Sequence, residues 1–445
     1  MNNQPPTTVT VLDRFLLKCG LFISKEALET LLAYIFIAFF ADIFVFGADQ
    51  FLTSYGIPLK KIIFLVFCVI SLAASTYRSN TEKKFFRIIL CAWAIFFFIW
   101  GALIPFMGTQ PSIYSARDLL PWAAILIYYP SRQYLSKPRA QHLITLAAAF
   151  FILTLALVHI ALFLLGLIEP QMAYKLSEYL KAFMERPNFD IETSVFFSIQ
   201  ENLMPRIYFV SSCLLLIGLY IGTEISKRRF LLGAFYSLII IVAIYCTQTR
   251  SLYLSSFLYY IILAFFTQFR NRFKNNIQSL FALLALPFLL SFAALFFLDP
   301  QFIKMVGMAR GFSDNLRYMQ LIPLINAFKE HLIWGNGFGM SIEPVRSSAA
   351  PFSYELSILA LIAKVGLFGF LVSLFLTALT LFQAQCRTTL TALPINFPSI
   401  YALYFAFIFA STYNPYIFGF NGTFFFLFIL YAYQSSLEKR DVKYE

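Results

Sequence analysis

The stretch RYMQLIPLINAFKEHLIWGNGFGM (317–340), followed after a short connector by SYELSILALIAKVGLFGF (353–370), organises the chain. It combines charged residues, a glycine-rich segment and the start of a long apolar run, whereas most of the remaining sequence is apolar or forms short connections. A run of about 20 apolar residues is long enough to cross a bilayer. We therefore predict a loop on the outer side of a membrane that leads into a transmembrane helix.

The composition of the whole chain indicates an integral membrane protein. Of the 445 residues, 60% are hydrophobic and 13% are charged, and the mean hydropathy is +0.74. Soluble domains carry about 25% charged residues. We predict an all-α fold of about twelve transmembrane helices that form a single membrane domain over residues 1–445.

Apolar runs predict where the spans lie. We expect them near residues 28–48, 58–76, 86–106, 113–130, 142–168, 206–222, 230–248, 250–268, 277–298, 354–383, 397–412 and 416–434. Two long loops interrupt this series, at 169–205 and 299–352. Each loop contains a segment with apolar residues at helical spacing, which predicts an amphipathic helix in each.

The basic residues indicate how the spans are oriented. They concentrate in the short connections and the tail: Arg78, Lys83, Lys84, Arg87, Arg132, Lys137, Arg139, Lys227, Arg228, Arg229, Arg270, Arg272, Lys274, Arg387, Lys439, Arg440 and Lys443. Such connections face the cytoplasm under the positive-inside rule. All of them fall on one side if both termini are cytoplasmic, so the two long loops would face outward. This placement accounts for the net charge of +12 without a nucleic-acid partner.

The sequence does not favour a metal site or a disulfide framework. The six cysteines fall in predicted spans or on the cytoplasmic side without CxxC spacing, and the chain has three histidines. A disulfide framework or a histidine-based metal cage needs more of these residues at closer spacing. We expect neither a metal nor another cofactor.

Charged residues on the outer side, close to the bilayer, are the candidates for chemistry. They are Arg117, Asp118, Arg206, Arg250, Arg310, Arg317 and Glu355. The positive-inside rule disfavours outward arginines beside spans. An ionisable group at the membrane edge is a functional hypothesis by default.

Arg250 is the sharpest of these candidates, because it occupies the short turn in YCTQTRSLYLSS (245–256) between two predicted spans. One interpretation is that its side chain extends to lipid headgroups. The other is that it binds an anionic group of a substrate in the membrane, since the planar guanidinium pairs with phosphate oxygens through two hydrogen bonds.

Glu355 also has two interpretations. A glutamate in the first turn of a helix is favoured by the helix dipole and acts as a cap. Alternatively, Glu355 is a general base within hydrogen-bond reach of a sugar hydroxyl. Its neighbour Tyr354 and the loop residue His331 are further substrate-binding candidates, although His331 could also only cap or pack. The segment GNGFG (335–339) predicts a turn whose backbone can approach a ligand closely.

Three features in this order resemble the O-antigen polymerase and O-antigen ligase superfamily. The first is a T-x-[ST]-R turn at the end of a span, here 247–250. The second is an outer loop with Arg317, an amphipathic helix and the glycine-containing segment 331–339. The third is a polar residue eleven positions before a G-x-x-G, here Glu355 and 366–369. The resemblance covers residues 247–369, and the hydropathy profile extends it loosely to the whole chain.

The resemblance implies a metal-independent glycosyltransferase that acts on undecaprenyl-diphosphate-linked glycans at the periplasmic face of the bacterial inner membrane. Its arginines, here Arg250 and Arg317 with Arg206, would hold the diphosphate, and Glu355 would activate the acceptor hydroxyl. Arg117 and Arg310 are further substrate-binding candidates. The implied partners are the lipid-linked donor, a glycan acceptor and membrane lipids, and a chain-length regulator is left open.

Within this superfamily, ligases carry a His-Asn pair at the position of the base. The chain departs from that pattern with the tripeptide YEL at 354–356. We therefore favour a polymerase of polysaccharide repeat units, with the O-antigen ligase as the alternative.

Two other classes of protein remain open at the level of sequence. A lipid-linked oligosaccharide flippase is one, although transporters often show internal repeats and polar groups at the midplane. No internal symmetry is evident in the sequence, and its polar groups gather at the outer edge. A purely structural scaffold is the other, but it would not explain outward arginines at three separate span ends.

Overall fold

The computed structural model describes residues 25–46, 80–108, 112–135, 137–184, 195–199, 205–269, 286, 312–345, 351–385, 397–417 and 419–441. The predicted spans near 58–76 and 277–298 lie outside these residues, apart from position 286. The site candidate Arg310 lies outside them as well.

The N-terminal half of the described chain is helical up to Met184. Its helices are α1 Lys25–Phe46, α2 Asn80–Phe98, α3 Ile104–Met107, α4 Ser112–Ala123, α5 Tyr128–Leu135, α6 Pro138–Ile168 and α7 Pro170–Met184. A π-helical turn, Ile99–Leu103, joins α2 to α3, and a 3₁₀ turn, Ala124–Ile127, joins α4 to α5. Helix α7 is the amphipathic helix that the sequence predicts in the first long loop.

The C-terminal half carries the remaining elements. They are strands β1 Val195–Ile199 and β2 Pro205–Phe209, then helices α8 Leu215–Ser226, α9 Phe230–Cys246, α10 Arg250–Phe269, α11 Phe312–Glu330, α12 Ser357–Gln385, α13 Phe397–Thr412 and α14 Phe420–Asp441. Helix α11 corresponds to the amphipathic segment predicted in the second long loop. The all-α, polytopic fold class is confirmed.

Four of the described segments are long and apolar enough to cross a membrane: Ile88–Met107, Pro138–Ile168, Arg250–Gln268 and Ser357–Thr380. Four more helices are apolar but shorter: Glu29–Ala38, Ser211–Ser226, Phe230–Cys246 and Pro398–Thr412. The total of twelve spans and the cytoplasmic position of both termini stay predictions.

A small hairpin departs from the predicted helical pattern. Strands β1 and β2 pair antiparallel, with Ser198 opposite Arg206. The sixth span was predicted to begin at 206, but the chain remains extended to Phe209 and turns helical at Val210. In β2, Pro205, Ile207 and Phe209 share one face of the strand and are buried. The apolar composition of this segment favoured a span over a strand.

The first half of α12 lies inside the protein. Every residue from 351 to 366 is buried, whereas Leu367 and Phe368 are exposed. Around this core, α10 packs along α13 and α8 packs against α9. The residues that precede α12 are therefore largely enclosed by protein.

Helix α12 has a kink at Gly366, and the glycine-rich loop supplies hydrogen-bond partners to the backbone groups around the kink. Gly366 has φ +67° and ψ 178°, so it leaves the helical conformation. The loop amides of Asn336 and Gly337 donate to the carbonyls of Ala363 and Lys364, at 3.0 and 2.7 Å. A kink frees backbone groups that have no water to bind in a bilayer. The loop satisfies them instead.

The same loop also supplies acceptors to the second half of α12. The amides of Leu367 and Phe368 donate to the carbonyls of Leu332 and Ile333, at 2.9 and 3.1 Å. The two backbones are so close that a Cβ atom on Gly335 would lie 2.3 Å from the Lys364 carbonyl oxygen. The glycines therefore allow the loop to approach the backbone of α12 closely, whereas the sequence predicted a close approach to a ligand.

Candidate active site

Arg317 and Glu355 form an ion pair at the start of α12. The distance from Arg317 Nη2 to Glu355 Oε2 is 3.2 Å, and the side chains are 22% and 8% exposed. Arg317 projects from α11, and its Nε donates to the carbonyl oxygen of Tyr413 at 3.1 Å. The guanidinium is thus held between the residues that precede α12 and the turn that follows α13.

Glu355 lies ahead of α12 and not one turn inside it. The helix begins at Ser357, and no acidic residue occupies its first turn. The expectation that Glu355 sits within the helix is therefore wrong. Its backbone amide donates to Gln320 Oε1 at 3.0 Å, and Gln320 Nε2 donates to the Pro344 carbonyl at 3.0 Å. Glu355 is fixed through its backbone while its carboxylate faces Arg317.

Asn414 joins this ion pair to the helix that carries Arg250. Its Oδ1 accepts from Arg317 Nη2 at 3.5 Å, and its Nδ2 donates to Ser251 Oγ. Ser251 directly follows Arg250, which is the first residue of α10 and is exposed. The structure thus connects Arg317, Glu355 and the Arg250 helix start through one buried amide side chain. Sequence reasoning did not identify Asn414.

The turn before α10 places a glutamine in the left-handed region and is held by a threonine side chain. Gln248 has φ +50°, and the amide of Thr249 donates to Thr247 Oγ1 at 3.2 Å. Threonine side chains form such local hydrogen bonds readily at turns. The turn ends α9 at Cys246 and starts α10 four residues later, so Arg250 projects from a helix start.

The other predicted site residues occupy varied positions. Arg117 is exposed on α4, and its Cζ lies 5.9 Å from the ring centroid of Phe352. His331 is exposed in the turn after α11. Arg206 lies on β2.

Tyr354 is fully buried and holds the loop before it. Its hydroxyl donates to the Met340 carbonyl at 3.1 Å and accepts from the Ile342 amide at 2.6 Å. The hydroxyl of Tyr354 is therefore a fixed donor to the Met340 carbonyl.

A second ion pair joins Asp118 of α4 to Lys364 of α12. Lys364 Nζ lies 2.7 Å from Asp118 Oδ2, and the side chains are 0% and 1% exposed. Sequence reasoning placed Asp118 among the outward charges and overlooked Lys364. A lysine inside the apolar run LALIAKVGLFGF (359–370) was a signal that could have found it, since charges inside spans are rare and usually paired.

Among the described residues, no group of three or more His, Cys, Asp or Glu side chains could hold a metal ion. The expectation of a reaction without a metal stays a prediction.

A family model described as O-antigen ligase, Wzy_C, matches residues 235–374. The matched segment includes Arg250, Arg317, Glu355 and Lys364, and covers roughly a third of the chain. A search of the curated proteins found no match.

The family match indicates an enzyme that acts on lipid-linked glycans in the assembly of O-antigen or a related polysaccharide. Together with the apolar helices, it indicates a multi-pass protein of the inner membrane. It does not distinguish a polymerase from a ligase. Residues 235–374 are therefore similar to the O-antigen polymerase and ligase superfamily.

Proposed function

We propose that the chain polymerises undecaprenyl-diphosphate-linked repeat units of a surface polysaccharide, an O-antigen or a capsule, at the periplasmic face of the membrane. The observation that carries this proposal is the Arg317–Glu355 pair, linked through Asn414 to the helix start of Arg250. The pair would supply a base and a cation for glycosyl transfer from a lipid diphosphate, and the side chain at the start of α10 would supply a second cation. No observation argues for a chain-length regulator, and the proposal includes none.

In the proposed reaction, an acceptor sugar hydroxyl attacks the anomeric carbon of the donor. A glycosidic bond forms as the bond between that carbon and the diphosphate oxygen breaks. Glu355 accepts the hydroxyl proton, and the electron pair leaves with the lipid diphosphate. Arg317 and Arg250 stabilise the negative charge that develops there, because guanidinium groups pair well with phosphate oxygens.

The ion pair also gives the proposed reaction an order of events. Arg317 pairs with Glu355 at 3.2 Å. Diphosphate oxygens would compete for the same guanidinium, because arginine binds phosphate and carboxylate through the same donors. Donor binding would then free the carboxylate for the acceptor hydroxyl.

An O-antigen ligase is the second candidate, since the matching family is described by that activity. A ligase would transfer the finished lipid-linked glycan to the lipid A core. We favour the polymerase because Glu355 stands where the resemblance places the histidine of ligases.

The test uses a deletion strain that carries wild type, Glu355→Gln or the control Glu330→Gln. Glu330 is an exposed carboxylate at the end of α11, so its loss should leave the polysaccharide unchanged. For a polymerase, Glu355→Gln leaves one repeat unit attached to the lipid core and no ladder. Loss of all attached glycan, with lipid-linked polymer accumulating, identifies a ligase. A normal ladder in Glu355→Gln would show that this carboxylate is not the base.

A further inference from the structure

We propose that the buried Asp118–Lys364 pair is a positioning device that sets the segment carrying the base, Glu355, for proton transfer. The inference rests on the proposed function and deepens it. It assigns Asp118 and Lys364 to the proposed active site through their contacts with the segment that precedes Glu355.

The contacts of Lys364 reach back to the segment before its own helix. Its Nζ donates to the Phe352 carbonyl at 2.7 Å while it pairs with Asp118 Oδ2 at 2.7 Å. Phe352 lies three residues before Glu355. The ammonium group therefore fixes the entry of the segment 352–356 to helix α4.

Asp118 fixes a second point in the same neighbourhood. Its Oδ2 accepts from the Gly339 amide at 2.8 Å. Gly339 and Phe352 flank the stretch 346–350, which lies outside the described residues, so the ion pair clamps both sides of this connection. A Cβ atom on Gly339 would lie 2.4 Å from the Ser115 amide nitrogen, so only a glycine allows this approach to α4.

Tyr354 connects the contacts of the Asp118–Lys364 pair to Glu355. The Lys364 Nζ lies 6.0 Å from the ring centroid of Tyr354, whose hydroxyl holds Met340 and Ile342. The next residue, Glu355, is anchored by its amide to Gln320. Contacts at Phe352, Tyr354 and Glu355 thus fix this segment at three points. The Glu355 carboxylate pairs with Arg317.

Fold stability alone is a weak account of this pair. Taking two charges out of water is costly, and replacing a buried ion pair with apolar residues is often neutral or stabilising. Charged groups inside membrane segments mark functional sites by default. The Asp118–Lys364 pair bridges helix α4, the loop at Gly339 and the segment at Phe352. It is therefore well suited to fix the relative positions of these three segments.

The experiment compares two double variants with wild type. Asp118→Leu with Lys364→Met removes both charges at similar volume, and Asp118→Asn with Lys364→Gln keeps polar groups but shortens the reach to Phe352. The substrate is the lipid-linked repeat unit extracted from the deletion strain. We expect membrane abundance and Tm close to wild type, kcat lowered at least tenfold and KM changed less than twofold. Wild-type kcat in both variants would overturn the proposal, as would failure of both to accumulate.

A third measurement separates positioning from a general structural effect. Each double variant is combined with Glu355→Gln, and kcat is measured per folded protein. If the pair acts through Glu355, the triple variant loses no more activity than Glu355→Gln alone, because the two effects are coupled. Losses that multiply would show that the pair acts elsewhere and would overturn the inference. Full activity of Glu355→Gln by itself would instead refute the proposed function.

Discussion

The two ion pairs next to α12 differ chiefly in their burial. Arg317 and Glu355 are 22% and 8% exposed and lie 3.2 Å apart, whereas Asp118 and Lys364 are 1% and 0% exposed and lie 2.7 Å apart. A pair that keeps access to its surroundings can exchange partners when a charged substrate arrives. A fully enclosed pair cannot, so it contributes fixed geometry. The comparison agrees with the proposed chemistry at the first pair and the proposed positioning role of the second.

The largest expected effect comes from breaking the enclosed pair on one side. Lys364→Met leaves the Asp118 carboxylate buried without its partner, which costs about 3–5 kcal/mol in comparable cases. We expect little folded protein in the membrane, measured by immunoblot and by thermal unfolding in detergent. The double variant Asp118→Leu with Lys364→Met should restore the abundance. A stable single variant would show that Asp118 does not depend on Lys364.

Changes to the Arg317–Glu355 pair should instead lower activity and leave membrane abundance unchanged. Arg317→Ala removes a cation from the proposed diphosphate site, and loss of one such donor lowers the rate by about 10²–10³-fold. We expect normal membrane abundance and no detectable polysaccharide ladder. Arg317→Lys should recover only part of the activity, because lysine lacks the planar pair of donors.

Arg250→Ala tests whether the same diphosphate site includes the start of α10. We expect an equally severe loss of the ladder, with abundance unchanged because Arg250 is exposed. Arg228→Ala, which changes an exposed arginine in the connection between α8 and α9, is the matched control and should behave as wild type. Normal polysaccharide in both Arg250→Ala and Arg317→Ala would end the diphosphate proposal. A normal ladder in Arg250→Ala alone would favour contact with lipid headgroups.

The break at Gly366 lies two residues after Lys364 in α12. Its φ of +67° with ψ near 180° is accessible essentially to glycine alone, and a Cβ atom there would lie 2.3 Å from the Ile333 carbonyl oxygen. Gly366→Ala should therefore destabilise the protein by about 3 kcal/mol from backbone strain before the clash is counted. Gly419→Ala, at a site with open space around it, is the control for thermal unfolding. Equal Tm values for the two variants would refute this account of the kink.

The sequence predicted the helices better than the contacts between them. Apolar runs locate α9 and α10 closely, because hydropathy accumulates over a whole span. The hairpin at β2 was missed, since its alternation is only five residues long and every member is compatible with a span except Arg206. The order of the motifs pointed to Arg317 and Glu355. The partnership of Lys364 with Asp118 could not be predicted, because residues far apart in sequence meet only through packing.

The smallest predicted effect concerns the tie between Tyr354 and the loop. Tyr354→Phe keeps the buried ring but leaves the Ile342 amide and the Met340 carbonyl without the hydroxyl. Losing one such partner costs about 1–2 kcal/mol.

If Tyr354 binds substrate directly, the variant should raise KM for the lipid-linked repeat unit. Because the structure places its hydroxyl on the backbone of residues 340 and 342, we expect KM to stay constant while Tm falls by a few degrees and kcat falls severalfold. That pattern would place Tyr354 with the enclosed pair, as part of what holds Glu355, and not with the accessible pair to which we assign the proposed chemistry.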